Sequence, residues 1–416
     1  MTPASPAVDA VALDAALIQR VTLPERHPLR RGALLAAAVG ALAVLALAVL
    51  GEPRRMLAAY LTAYVYWLTI ALGGLFFVLV MFATRAGWSV TVRRLAEHVA
   101  GTLVLFAALF LPLALGADTL FGWWHGADAA ADPVLHGKAG YLDPEFFFLR
   151  ATAYLLAWSL LAFWFRSRSL AQDSSGDPAT TRRLQALSAP ALIVFGISLT
   201  FASFDWIMSL DPHWYSTIFG VYVFSGAVVA ILAVLTLGCI ALGAGRDPRG
   251  ERPGPLAGVV TTEHLHDVAK LLFAFVVFWA YIGFSQFMLI WYGNLPEETI
   301  WYAHRLEHGW RGVTIALAVG HFVLPFFFLL PRAVKRTRST LVAASVWLLA
   351  MHYLDLYWLV MPAVERHGFH PHLADLVAWL GVGGLFLGTL GLLTARQPLV
   401  PVGDPRLAES MAFENT

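Results

Sequence analysis

Ten stretches of about twenty or more predominantly apolar residues run through this chain, at 32–51, 56–84, 97–116, 146–166, 189–210, 215–244, 264–292, 310–330, 339–361 and 373–394. A stretch of that length matches the hydrocarbon thickness of a bilayer when helical. Lipid offers no hydrogen bonds, so each such segment must satisfy its own backbone, which selects helix. The sequence therefore predicts an all-α integral membrane protein with about ten transmembrane helices. Composition agrees: 59% of residues are apolar and 13% charged, where a soluble domain carries about 25% charged residues. The net charge of +1 carries no nucleic-acid signature.

Basic residues orient the segments. With the N-terminus inside, 20 of the 28 Lys and Arg residues fall in inner loops and 7 in outer ones, with Lys270 the remaining one. Both termini are expected on the cytoplasmic side. Residues 1–31 read as a polar tail and 395–416 as a loose cytoplasmic strap, flanking a membrane domain at 32–394. The first apolar segment is long enough to span, and its preceding polar stretch is longer than a signal-peptide n-region, so no cleaved signal peptide is expected. The single cysteine, Cys239, excludes an internal disulfide, a cysteine-held iron–sulfur cluster and Cys-x-x-Cys-His haem attachment. It reads as a small residue packed in an apolar helix.

Two short similarities suggest an internal duplication. Asp205 precedes Pro212 by seven residues, and Asp355 precedes Pro362 by the same interval. Glu97-His98-Val99-Ala100 opens the third segment, and His266-Asp267-Val268-Ala269 opens the seventh. Segments 2–5 (about 56–210) and 6–9 (about 215–361) thus read as two parallel-related four-helix bundles, with segments 1 and 10 flanking. Each bundle would carry ionisable groups at its inner entrance and an Asp roughly 10 Å inside its outer end.

Ionisable groups inside a span are costly, and usually face a partner or a wet cavity. Asp267 and Lys270 share a helix face three residues apart, continued by Tyr281. They read either as a static ion pair or as a proton entry. Glu97 and His98 hold the matching place in the first bundle. His321 and His352 lie near mid-depth, and His352 is one turn from Asp355. Together with Asp205 these residues make a candidate proton pathway, or a set of structural hydrogen bonds. Axial ligation of a b-type haem by the two histidines is a further, weaker reading. His264 and His266 are expected at the water boundary. The outer loops, with Trp123, Trp124, His125, His213, Trp214, Trp291, Tyr292, Trp301, Tyr302, His304, Arg305, His308 and Trp310, read as an interfacial belt that would also suit a docking partner. No Gly-rich phosphate loop, Walker lysine or nucleophile elbow is present. No catalytic residue and no metal or cofactor ligand is assigned.

Two segments resemble a known family. One is Ser203–Thr217, centred on Phe204-Asp205-Trp206 and Leu210-Asp211-Pro212-His213-Trp214-Tyr215. The other is His266–Phe273, continuing through Phe278-Trp279-Ala280-Tyr281 to Ile290–Thr299. With ten helices, the chain resembles the NrfD/polysulfide-reductase-C-like membrane subunits over residues 30–395. Within that family it is most similar to the branch that serves as the F-type subunit of bacterial alternative complex III, a quinol:cytochrome c (or other acceptor) oxidoreductase. The resemblance implies a subunit of the bacterial cytoplasmic membrane without its own redox centre, scaffolding the membrane part and offering proton half-channels. It implies partners: a second NrfD-like subunit carrying the main quinol site, an iron–sulfur subunit and c-type haem subunits, with lipid and quinone as membrane contacts. Two alternatives stay open. A secondary transporter would also use repeats and midplane charges, although the repeats here read as parallel and no span reads as broken at mid-depth. A purely structural anchor would need no proton role.

Overall fold

The computed structural model describes residues 15–23, 28–47, 50–124, 132–247, 249, 254–307, 309–366 and 368–414. It is an all-α membrane protein with, among the described residues, ten helices long and apolar enough to cross a bilayer. They are α1 (Pro28–Leu47), α2 (Pro53–Ala83), α3 (Gly87–Leu115), α4 (Pro144–Ser175), α5 (Pro178–Leu210), α6 (Phe219–Ala241), α7 (Thr262–Gly293), α8 (Trp310–Leu329), α9 (Arg338–Ala363) and α10 (Leu373–Thr394). Several outrun their apolar stretches. α4 and α5 continue through polar turns to an Asp177-capped junction, because solvent satisfies side chains past the hydrocarbon and the helix need not stop with the apolar run.

α2 and α6 form the centre. About 89% of the most apolar window of α2 is buried and 78% of that of α6, against 11% for α1. α2 touches α3, α5, α6, α9 and α10. Small residues permit this crowding, since helices in lipid associate by close packing rather than by escaping water. A Cβ on Gly73 would lie 2.5 Å from the Ala227 carbonyl oxygen of α6. On the next residue, Gly74, it would lie 3.1 Å from the Ala96 carbonyl of α3. The helices α2–α5 contact one another in a ring, and so do α6–α9. Between the rings α2 also meets α9, and α6 meets α5. α1 packs on α10 through a small-residue seam, where a Cβ on Gly384 would lie 2.2 Å from the Ala36 carbonyl oxygen.

Two helices are interrupted, contrary to the expectation of unbroken spans. α3 is a series of helical pieces, Val90–Ala100, Leu103–Leu109, Leu111–Leu115 and Ala117–Leu120. Aromatic side chains of α2 bind the carbonyls of its second piece: Tyr60 donates to Leu109 at 2.7 Å and Tyr64 to Phe106 at 3.1 Å. α8 passes through a π-helical stretch, Ala318–Val323, just before Pro325. There the Gly320 carbonyl accepts from Trp347 Nε1 at 2.7 Å. A side chain from α9 thus takes up a backbone group that a relaxed helix frees.

The C-terminal segment is packed, not loose. Leu399 N–H donates to Val21 at 2.9 Å, and Asp404 pairs with Arg93 at 2.5 Å. Ser410 Oγ donates to the Trp88 carbonyl at 2.8 Å. This strap crosses the arginine-rich end of the bundle, the end that holds the start of α7.

The α2–α6 crossing is testable. Gly73→Val places methyl groups against backbone, and overpacking of this kind costs about 1–3 kcal/mol. Gly238→Ala, where the nearest atom would be 3.9 Å away, should be neutral. Unfolding of the purified variants in mixed micelles should separate the two. Equal stability would show that the crossing can slide apart.

Candidate functional site

The ionisable groups fall into separate clusters with different charge balance. At the arginine-rich end, Glu97 lies between Arg93 at 3.3 Å and Arg94 at 2.9 Å, and Ser169 Oγ donates to it at 3.0 Å. Arg94 also holds Asp173 of α4 at 2.7 Å. His98 accepts from Arg166 Nε at 3.3 Å on Nδ1. Glu97 is thus paired with two arginines of its own helix and bonded by Ser169 of α4, while Arg93 carries the link to Asp404 of the strap.

Asp267 and Lys270 form the expected i, i+3 ion pair at the start of α7, with Lys270 about half exposed. His264 and His266 differ from expectation, since both are buried. For His264 the strap is the cause: its Nε2 bonds the Ser410 carbonyl oxygen at 2.9 Å, while Nδ1 accepts from the Thr261 N–H at 3.0 Å and closes a capping box. Tyr281 also differs. It lies on the outside of α7, 63% exposed, and does not join Asp267 on an interior face.

Asp205 is not brought together with Asp355. It is fully buried and clamped by Arg150 of α4, with Nε and Nη2 at 2.9 and 2.8 Å. Tyr154 donates a third bond at 3.0 Å. The Arg150 guanidinium also lies over the Tyr141 ring at 3.9 Å. This partner was missed. The signal was an arginine directly after Phe146-Phe147-Phe148-Leu149, inside a span, where a charge needs a mate.

Asp355 on α9 is also fully buried, but its hydrogen bonds come from neutral donors. Tyr222 of α6 donates its hydroxyl to Oδ1, and Trp279 of α7 donates Nε1–H to Oδ2 at 3.1 Å. Gly226 on α6 makes the room; a Cβ there would sit 3.1 Å from the His352 ring and 3.7 Å from Asp355 Oδ2. His352 Nε2 is 2.9 Å from Thr69 Oγ1 of α2. That hydroxyl already donates to the Tyr66 carbonyl at 2.9 Å, so towards the imidazole it accepts. The proton then belongs on Nε2, and Nδ1 is bare. Nδ1 has no hydrogen-bond partner in the protein, nor has either nitrogen of buried His321. The His321 ring lies against Trp279 with centroids 4.0 Å apart, carried there by the π-helical stretch. Such stretches recur at functional sites. Tyr222, Trp279 and Thr69 were not read as site residues, because tyrosine and tryptophan in a span signal packing or interface first.

This cluster adjoins an apolar cavity of about 560 Å³ between α7 and α8, lined by Tyr222, Trp279, Gln286, Phe287 and Tyr302, with Tyr281 at its rim. Asp267 is remote from it. Twelve residues of helix separate Asp267 from Trp279, roughly 18 Å. Among the described residues, no group of three or more His, Cys, Asp and Glu side chains is placed to hold a metal ion.

Of the aromatics read as a docking belt, Trp123, Trp214, Trp301, Tyr302 and Trp310 are buried in the chain's own packing, while Trp291 and Tyr292 are exposed. Trp214 stacks on Trp301 at 4.3 Å. Arg305 lies 3.4 Å over Trp301 and donates to the carbonyls of Trp358 and Leu359 at 3.2 and 3.0 Å, capping the end of α9. His125 and His308 lie outside the described residues.

The contrast between the two aspartates predicts different mutational costs. Arg150→Ala strands the buried Asp205 charge, which should cost about 3–5 kcal/mol. Arg150→Met with Asp205→Leu should recover most of it. Asp355→Asn keeps an acceptor for one of the two neutral donors and should leave the fold intact. Denaturant midpoints of the purified variants check both statements. A harmless Arg150→Ala would mean that Asp205 is not charged.

No protein-family model matches this chain, and no curated protein matches it either.

Proposed function

We propose that this chain is a membrane subunit of a respiratory quinol:cytochrome c (or other acceptor) oxidoreductase, of the NrfD/polysulfide-reductase-C-like type. It would sit in the bacterial cytoplasmic membrane with both termini cytoplasmic. It would scaffold the membrane part of the complex and carry protons through the α6–α9 helices. Redox centres would belong to partners: iron–sulfur and c-type haem subunits, with a second NrfD-like subunit receiving quinol.

One observation carries the proton reading. Asp355 is a buried carboxyl held by two neutral donors; His352 lies one turn away on α9 and His321 stacks on the donor Trp279, and both histidines have ring nitrogens without a hydrogen-bond partner in the protein. Every other deeply buried carboxylate described above has an arginine against it. A charge balanced by arginine is structural, whereas a carboxyl among neutral groups can exchange a proton without leaving a stranded partner. Bare buried nitrogens are the atoms at which ordered water or a transferred proton finds a place. Asp267 and Lys270, near the arginine-rich end, are suited to an entrance, and the 18 Å to Trp279 along α7 would be bridged by water. A quinol entering the cavity between α7 and α8 would meet Tyr222 and Trp279, the two donors to Asp355.

A secondary transporter is the second reading, favoured by the interruptions of α3 and α8, since broken helices line substrate paths in such proteins. Co-purification separates the classes. The complex reading expects haem-staining and iron–sulfur partners to accompany the chain out of mild detergent. A lone chain that catalyses solute exchange in vesicles would favour transport.

In reconstituted vesicles, Asp355→Asn and Asp267→Asn should lower the proton-to-electron ratio of quinol oxidation while the complex assembles normally. An unchanged ratio in both variants would reduce the chain to a scaffold.

A further inference from the structure

Building on the proton role read for Asp355, we propose that its connection to the outer face runs through the cavity between α7 and α8. The carriers are Tyr222, one bridging water and Tyr302, and Gln286 positions Tyr302. α7 sets out the leg one turn at a time on a single face, at Trp279, Gly283 and Gln286. Trp279 donates to Asp355. Gly283 lies against Tyr222, whose Cε2 a Cβ there would approach to 3.0 Å. Gln286 is 3% exposed. Its Nε2 donates to the Tyr302 hydroxyl at 3.1 Å, and its Oε1 accepts from Ser216 Oγ at 2.9 Å. Ser216 lies in the outer connection between α5 and α6, and Tyr302 on the short helix Pro296–Leu306 that joins α7 to α8. The row thus climbs about 10 Å from Trp279 to Gln286 and ends among outer residues.

The two tyrosines have complementary open positions. Among the described residues, the Tyr222 hydroxyl gives its hydrogen to Asp355 and receives none, while the Tyr302 hydroxyl receives one from Gln286 and gives its own to no protein group. Both rings line the cavity, with Tyr222 5% and Tyr302 9% exposed. A phenol donates and accepts at once. A water that accepts from Tyr302 and donates to Tyr222 therefore has the two polar partners that a buried water needs. A lipid chain in the same place would leave both positions unmet. With the water present, every hydrogen bond from Gln286 to Asp355 points inwards. Protonation of Asp355 from outside breaks the Tyr222 O–H bond as the Asp355 O–H bond forms. The water refills Tyr222, Tyr302 refills the water, and outer water refills Tyr302, so Asp355 alone changes charge. An amide gives up protons reluctantly, so Gln286 orients the phenol and carries none. With that amide turned over, its two bonds reverse, Tyr302 donates to it, and the row points outwards for release.

Tyr302→Phe keeps the ring packing and removes the hydroxyl. In vesicles holding the whole complex, it should lower the proton-to-electron ratio of quinol oxidation as far as Asp355→Asn does, with normal assembly and an unchanged unfolding temperature. Gln286→Leu should lower the ratio in the same direction. The Tyr302→Phe, Asp355→Asn double variant should be no worse than Asp355→Asn alone, because two breaks in one route do not add. Hydroxyl-radical labelling of the full chain, which marks side chains that touch bound water, should reach buried Tyr222 and should lose it in Tyr302→Phe. A normal ratio in Tyr302→Phe beside a lowered one in Asp355→Asn would overturn this outer leg and leave the proton role of Asp355 standing. Normal ratios in both would remove the two together. Additive losses in the double variant, or a Tyr222 that stays unlabelled, would each also overturn the leg.

Discussion

The close crossing of α2 and α6 is the contact on which the rest of the molecule depends. With a glycine at position 73, the two backbones meet with no side chain between them at that point. Each helix is then surrounded by the others of its own ring, and the two rings share a wall. The functional groups hang from that wall. Thr69 of α2 orients His352, while Tyr222 and Gly226 of α6 hold and admit Asp355. A shift of α2 against α6 would therefore reach the candidate site before it reached any loop.

Charge balance sorts the buried polar groups. Glu97, Asp205 and Asp375 each have an arginine within hydrogen-bonding distance; those of Asp205 and Asp375 come from other helices, while those of Glu97 come from its own and reach on to Asp173 and Asp404. Arg55 with Asp375, at 2.8 Å, ties the start of α2 to the start of α10. Buried pairs of this kind add little net stability but cannot be halved without a large loss. Asp355 stands apart from them. Its neighbours are a phenol, an indole and the His352 imidazole, groups that position a carboxyl without fixing its charge.

The helix count and the Asp267–Lys270 pair were legible in the sequence, because length and apolar content decide spans and an i, i+3 pair is local. His352 and Asp355 as neighbours were legible for the same reason. The partners of Asp205 and Asp355 were not. Arg150, Tyr222, Trp279 and Thr69 come from other helices, and one sequence carries no signal for which helix faces which. Tyr281 was misplaced because a helical face that starts polar at Asp267 need not stay interior over fourteen residues. The strap that buries His264 was misread because polar, proline-bearing segments look alike whether they dangle or dock. Trp301 and Arg305 were misread as surface because aromatic and charged residues serve an interface and a cap equally well.

The π-helical stretch of α8 has a consequence for helical phase. A stretch of this kind accommodates one residue more than regular α-helix would in the same rise, and in an α-helix one residue is about 100° of rotation. Upstream and downstream halves of α8 are therefore keyed to different neighbours: Trp310 to the Tyr357 side of α9, and Phe326 to Phe273 of α7. His321 occupies the residue at which the two phases are reconciled. Removing one residue there would restore a uniform helix and swing one half away from its neighbours. The stacking of His321 on Trp279 thus comes from an insertion-like irregularity, and the imidazole sits where the two packing registers meet.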